Sequence, residues 1–408
     1  MIKIKLSSSK IFPWRNLNNK IFIRGYFYSI KGDYLSSKDI LKKLSYDFNF
    51  NSFKTFLKNI DGCFSIIIYN KEHNKILLAN DRVRGLPIFY YLDEEKNYII
   101  TDKLTQDINQ KFDNISIYEF INSGYVTGKN TLLKNTYQLQ AGECLMIDGT
   151  NITCDNYFKF LHGDYFKDDK YDLILNFKNI LKKTFTSLID SIDGRPIIVP
   201  LSGGLDSRLI LSTLHQLNYK NIKCFTYGLT NSKEVQISKK IAKDLNIKWY
   251  FIKYSKKKWL HISKSKIFNE YFSFSANYTS TPHIQDFLAI AELKERNIIS
   301  PKSIIIPGHT GDFITGGHIP SFVLGEKINF ENIYKTIIKK HYIHTNYISS
   351  DKYDYYNSKI KSKIKDKIFN YRITKIDDLA NVFEFWEWRE RQAKYIINSC
   401  KVYEFFDI

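Results

Sequence analysis

The densest chemistry in the chain lies in Ile197-Ile198-Val199-Pro200-Leu201-Ser202-Gly203-Gly204-Leu205-Asp206-Ser207-Arg208-Leu209-Ile210. An apolar strand runs into Ser-Gly-Gly, and the pattern predicts a helix from about Asp206. Paired glycines let backbone N–H groups come close to an anion, and a helix N-terminus adds free donors and the positive end of its dipole. The segment therefore reads as a phosphate cradle, with Leu201, Ser202, Gly203, Gly204, Asp206 and Ser207 around the anion. A Walker A loop is excluded, because it needs a lysine after its last glycine and none lies between Gly194 and Lys220. Asp206 alone would repel a phosphate; a bridging Mg²⁺ suits both kinds of oxygen and removes the conflict. Read in isolation, the segment could also be a glycine turn before a helix capped by Asp206 or Ser207.

A second window has the same grammar: Ile304-Ile305-Ile306-Pro307-Gly308-His309-Thr310-Gly311-Asp312-Phe313-Ile314-Thr315-Gly316-Gly317-His318. An apolar strand again leads into glycines and one acid, Asp312. Two acids that each follow a parallel strand would share the carboxyl edge of an open sheet, where such sheets bind ligands. Alone, Asp312 could simply close a turn.

These loops need a scaffold, and the chain supplies two kinds. The first 155 residues carry short β-branched and aromatic runs at Lys20 to Tyr28, Phe64 to Tyr69, Ile76 to Ala79, Ile88 to Leu92, Tyr98 to Thr101 and Glu143 to Ile147. Turn residues separate them, which predicts an antiparallel β domain with a few helices. From Tyr171 helices alternate with strands: Leu173 to Ile189, Pro196 to Leu201, Arg208 to Leu217, Lys223 to Tyr227, Glu234 to Leu245 and Lys248 to Ile252. That alternation predicts a parallel sheet wrapped by helices. After Gly325 neither glycine nor proline occurs, so the tail reads as helical. The expected division is 1–155, a linker 156–172, and 173–408.

With 408 residues, 43% hydrophobic and 25% charged, the chain can bury more than one core, and a disordered or collagen-like chain is excluded. The net charge of +19 comes from lysines spread along the sequence, so it argues against dedicated nucleic-acid binding. Five scattered cysteines without a CxxC pair point to a reducing compartment and to no zinc knuckle. Neither a signal peptide nor a membrane span is expected, which predicts a cytoplasmic protein with no membrane partner.

Beyond the chemistry that the residues allow, the first window resembles the SGGxDS loop of the ATP pyrophosphatases. The second resembles the SGEGADELFGGY segment of asparagine synthetases, in register at Gly308, Asp312, Gly316 and Gly317. Asp61-Gly62-Cys63-Phe64-Ser65 and Asn80 to Tyr91 are similar to the DGxFA and RDRxGxxPLYY signatures of the glutaminase domain in that family. Thr101-Asp102-Lys103, Gln140-Ala141-Gly142-Glu143, Trp388-Arg389-Glu390-Arg391 and Val402-Tyr403-Glu404-Phe405-Phe406 extend the likeness along nearly the whole chain. The chain is identified as an asparagine synthetase B-like protein. The fold this implies is an N-terminal Ntn-hydrolase-like antiparallel β sandwich with helices, then a doubly wound parallel-sheet ATP pyrophosphatase domain with a helical C-terminal part.

The resemblance further implies that Asp206 and Asp312 hold Mg²⁺ on the ATP phosphates, with Tyr227 on the strand beside the adenosine and Gly308 near the phosphates. Three departures stand out. Position 2 is Ile2 where glutaminases of this kind carry their nucleophilic cysteine, so glutamine hydrolysis is expected to be absent, as in β-lactam synthetases and lasso-peptide cyclases. His309 replaces the family's Glu or Tyr and could take the proton of an attacking amine, or could merely line the pocket. Similar proteins continue past Phe406 with a segment supplying a lysine to the acyl-adenylate, whereas this sequence stops at Ile408.

The expected activity is ATP-dependent amide formation. A carboxylate, aspartate or a related small-molecule, peptide or sugar acid, is adenylated with release of pyrophosphate and captured by ammonia or an amine. Two rivals are a catalytically impaired nucleotide-binding scaffold and a tRNA-modifying pyrophosphatase relative; a homodimer is left open. The polar turn Thr281 to Asp286 either faces the substrate or is an ordinary helix start.

Overall fold

The computed structural model describes every residue except 45–47, 106–110, 163–165, 322–327, 344–349, 369–370 and 372. Part of the expected linker, 163–165, lies outside the described residues.

The N-terminal half is built from β1 (Ile2–Lys5), β2 (Arg15–Asn16), β3 (Ile21–Ser29), β4 (Tyr34–Leu35), β5 (Ile60–Asn70), β6 (Lys75–Asn80), β7 (Phe89–Leu92), β8 (Tyr98–Thr101), β9 (Thr136–Gln138), β10 (Glu143–Asp148) and β11 (Asn151–Asn156). One sheet runs β11-β10-β6-β5-β3-β2 with β4 beside β3; the other runs β1-β8-β7-β9. Side chains alternate across each strand. Ile67, Leu78 and Ile147 on one face of the larger sheet share a core with Ile2, Tyr90 and Ile100 of the smaller. Their neighbours Ile66 and Leu77 face the other way, onto Ile40, Phe53 and Leu57 of the helices Ser37–Leu44 and Phe50–Lys58.

One pairing departs from the antiparallel expectation: β1 lies parallel to β8, with Ile2 opposite Tyr98. Its alternating Ile-Lys pattern buries Ile2 and sends Lys3 outward to Asp93 and Glu95, at 3.1 and 3.0 Å.

The C-terminal half holds β12 (Ile197–Pro200), β13 (Ile222–Gly228), β14 (Lys248–Lys253) and β15 (Ile304–Ile305), all parallel, in the order β14-β13-β12-β15. Helices cover both faces. Leu211, Leu214 and Ala242 pack under Val199 and Cys224 on one side, and Phe287, Ile290 and Leu293 pack under Ile198 and Phe225 on the other. A parallel strand buried on both faces reads as an unbroken apolar run, which is why Ile197-Ile198-Val199 shows no alternation. The second apolar run forms only the two-residue strand β15. The chain steps from β12 to β13 to β14 in one direction, then returns to place β15 on the other flank of β12. The crevice between the ends of β12 and β15 is thus where the strand order reverses.

The tail is helical where it is described: Phe330–His341, Ser350–Ile368 and Ile376–Glu387, then a π-helical stretch Trp388–Ile396, a 3₁₀ turn Ile397–Cys400 and a last helix Lys401–Phe405. These elements weld the two halves together. Ile333, Ile364 and Trp386 share a core with Tyr118 and Tyr125 of the N-terminal half. Glu390 accepts from the Gly128 N–H at 2.7 Å and pairs with Lys394 at 2.5 Å, both side chains being almost inaccessible. Lys394 also donates to the carbonyls of Val126 and Gly128, at 2.7 and 2.8 Å. Arg24 binds Asp102 at 2.8 Å and Glu404 of the last helix at 2.6 Å.

Candidate functional site

The two glycine-rich loops meet at the crevice. After β12 the chain turns through Ser202, whose N–H donates to Ser207 Oγ at 3.1 Å, while the Gly204 N–H donates to Ser202 Oγ at 3.1 Å. Gly204 is the N-cap of the 12-residue helix Leu205–Gln216 and offers no capping side chain. A helix end without a side-chain cap leaves N–H donors for a ligand. Gly203 rests against Glu234, whose Cα would lie 3.3 Å from a Cβ there, so one flank of the loop is supported. The other flank is open: Gly204, Leu205 and Asp206 are exposed, whereas Leu201 and Ser207 are buried.

From the opposite side comes Gly308, where a Cβ would stand 2.9 Å from the Ser207 backbone nitrogen. The approach at Gly311 is tighter still. A Cβ there would lie 2.2 Å from the carboxyl carbon of Asp206, so only glycine lets the Asp206 carboxylate settle on the backbone next to Asp312. Asp206 and Asp312 are both exposed, and neither forms an ion pair among the described residues. Two unpaired acids beside open N–H groups form a donor set that fits a metal-bound polyphosphate. Hard carboxylate oxygens offer ligands to a divalent cation, and the helix end offers donors to the anion. Among the described residues no cluster of three or more His, Cys, Asp or Glu could hold a metal by itself.

His309 sits between the loop and the tail. Its Nδ1 is 3.1 Å from Ser399 Oγ, and its ring meets that of His283 edge-on at 5.4 Å. Burial pushes the His309 pKa down, with Asp286 pulling the other way; burial and the neighbouring His309 lower that of His283 too. The His309 imidazole is therefore held toward its neutral form, with Nδ1 engaged by Ser399. Asp286 accepts hydrogen bonds from Tyr227 at 2.6 Å and Tyr403 at 2.5 Å. Tyr227, read beside the adenosine, thus commits its hydroxyl to this carboxylate and stacks flat on Tyr254 with ring centres 4.7 Å apart.

Of the turn Thr281 to Asp286, His283 and Asp286 border His309, and His283 Nδ1 has no hydrogen-bond partner among the described residues. Ser399 carried no signal in the sequence, being one hydroxyl in a helical tail 90 residues from its partner. The glutaminase-like motif folds as a loop anchor: Asp81 accepts from the N–H groups of Phe64, Val83 and Gly85 at 3.1, 2.7 and 3.0 Å. Burial raises the Asp81 pKa to about 6 against those bonds. Cys63, one strand away, is a thiol whose pKa burial pushes far up.

Residues 50–158 match the family model of a glutamine amidotransferase domain, and residues 189–331 match that of asparagine synthase. The microcin J25-processing protein McjC of Escherichia coli is 27% identical over 283 residues, covering 66% of this chain and 49% of that protein. A putative glutamine-hydrolysing asparagine synthetase of Methanocaldococcus jannaschii is 21% identical over 280 residues, covering 64% of this chain and 51% of that protein. The chain spans about half the length of these curated relatives. Among solved structures, the NH₃-dependent NAD synthetase of Campylobacter jejuni aligns at 12% identity, with a TM-score of 0.25, over 52% of this chain and 92% of its own. An amidotransferase-type segment is thus followed in order by a synthase-type segment, the arrangement of the asparagine synthetase B-like family that this chain resembles.

Proposed function

We propose that the protein is an ATP-dependent amide-forming ligase that activates a carboxylate and joins it to ammonia or an amine. The observation that carries this reading is the seating of Asp206 against Gly311, which joins two acid-bearing loops at the reversal point of a parallel sheet. Mg²⁺, where bound, would be held by Asp206 and Asp312 and would offset charge on the phosphates. ATP as substrate supplies the activation, turning the acid into its acyl-adenylate with loss of pyrophosphate. The chain's own contribution is positional. The N–H groups of Gly203, Leu205 and Asp206 hold the anion, Ser202 and Ser207 brace the loop, and Gly308 permits the close approach.

His309 is the proposed base: neutral because of its burial, oriented through Nδ1 by Ser399, with Nε2 to take the amine proton. Glutamine hydrolysis is outside the proposal, since the Cys63 thiol resists ionisation and the Ile2 side chain is buried within β1. In this reading residues 1–155 are an Ntn-hydrolase-like sandwich that serves as scaffold, and residues 173–408 are a doubly wound nucleotide-binding domain in a cytoplasmic protein. The acid partner is aspartate or a related small-molecule, peptide or sugar carboxylate.

The test is incubation of the protein with ATP, Mg²⁺, ammonia or amines and a panel of carboxylic acids, followed by mass spectrometry and a pyrophosphate assay. Acid-dependent pyrophosphate release with a new amide is expected; no release with any acid would overturn the reading. His309→Ala should abolish amide formation while leaving ATP binding intact, and unchanged turnover would remove His309 from its role.

A further inference from the structure

A cavity of about 550 Å³ opens on the seam between the halves, walled by β10 and β11 on one side and by the tail helices on the other. That volume suits a small organic molecule. Its charges are unbalanced: Lys129, Lys159, Lys367 and Arg389 face Glu143 and Asp366. Glu143 is already engaged, accepting from Arg389 Nη2 at 3.0 Å and from the Gln140 N–H at 2.8 Å. Lys129 and Lys159 lie over aromatic rings, of Tyr137 at 5.2 Å and of Tyr371 at 5.7 Å. Among the described residues none of the three lysines has a carboxylate within ion-pair distance.

Unpaired buried groups mark the same walls. Among the described residues Arg389, only 7% exposed, has no partner for its Nε, and Gln140, 2% exposed, has none for its Oε1. Room for Lys367 is provided by Gly128, at φ 71°: a Cβ there would come within 2.8 Å of Lys367 Cε. Burial lowers the Lys367 pKa, with Arg389 and Lys363 adding repulsion, and Glu390 and Glu143 pulling it back up.

We infer that this cavity is a second ligand site, distinct from the nucleotide crevice, which takes a small organic dianion. The acid groups answer the cationic lining, four cations against two acids leaving two positive charges to match. The rings of Tyr137 and Tyr371 close around the carbon skeleton. Phosphorylated and dicarboxylic compounds share this chemistry. The site also has a route to the crevice, because Phe385 of the cavity wall packs in one cluster with Phe313, the neighbour of Asp312.

The test titrates the full-length protein with malate, glucose 6-phosphate and, as a bare anion, inorganic phosphate, read by calorimetry without ATP. Saturable binding of malate or glucose 6-phosphate, tighter than that of inorganic phosphate, is expected, and whichever binds names the acid. The Lys129→Gln/Lys159→Gln variant alters two side chains at the cavity mouth and should weaken binding at least about fivefold, as loss of charge-assisted contacts requires. Asp312→Asn should bind unchanged. Absence of saturable binding by all three probes, or binding indifferent to the lysines, would overturn the site. A calorimetric readout needs no catalysis, so failure here and failure of the ligase reading remain distinguishable.

Discussion

The nucleotide crevice and the seam between the halves treat charge in opposite ways. At the crevice, Asp206 and Asp312 stand exposed and unpaired beside an uncapped helix end. Along the seam, Glu390 and Lys394 are almost inaccessible and matched, and Glu390 keeps its pKa below the usual carboxylate range through Lys394 even as burial pushes it upward. An exposed, unmatched acid contributes little to stability but is available to a ligand. A buried, matched pair contributes to how two bodies are held and is available to nothing else.

The sharpest way to break this contrast is Lys394→Met. Removing one partner of a buried pair should cost about 3–5 kcal/mol in urea unfolding, and the double variant with Glu390→Gln should recover part of it. A small loss in the single variant would mean that water reaches the pair. Next in size, Asp206→Asn or Asp312→Asn should shift stability by no more than about 0.5 kcal/mol while lowering pyrophosphate release about 100-fold. A large loss of stability would erase the distinction between the two regions. Gly311→Ala should act on the crevice alone, since its Cβ would occupy the place of the Asp206 carboxylate. About a tenfold fall in activity with a near-native fold is expected, because an exposed side chain can swing aside.

The smallest effect concerns pH. The His309 pKa is lowered from 6.5, so the group stays neutral and competent at pH 7. Activity should fall only as pH drops below that ordinary value, following protonation of the imidazole. Ser399→Ala should cut turnover a few-fold without moving the midpoint of urea unfolding. An activity profile rising from acid only above pH 7 would contradict the lowered pKa.

Much of this was legible in the sequence, for identifiable reasons. The central strand β12 announces itself as an unbroken apolar run, and the run Tyr98 to Thr101 coincides with β8. The loops declared themselves because few residues other than glycine permit such approaches. What stayed hidden depends on distant partners. The parallel pairing of β1 with β8 is invisible locally, because Ile-Lys-Ile-Lys reads as any edge strand. The contact of Ser399 with His309 and the π-helical stretch at Trp388–Ile396 arise from how the tail packs on both halves. Trp388-Arg389-Glu390-Arg391 was legible as a family signature, yet its physical task at the seam was not: Trp388 Nε1 bonds the Arg82 carbonyl at 2.7 Å and Arg389 reaches Glu143.

The grip of Arg24 on Glu404 reaches further than its own ion pair. Ser399 lies five residues before Glu404, just ahead of the last helix, so the strand that carries Arg24 sets where the tail ends and hence how the His309 ring is aimed. Whatever the N-terminal half does by itself, it serves as the jig on which the other half's imidazole is trued. If His309 is the proposed base, cutting the N-terminal half away lowers amide formation without altering either glycine-rich loop.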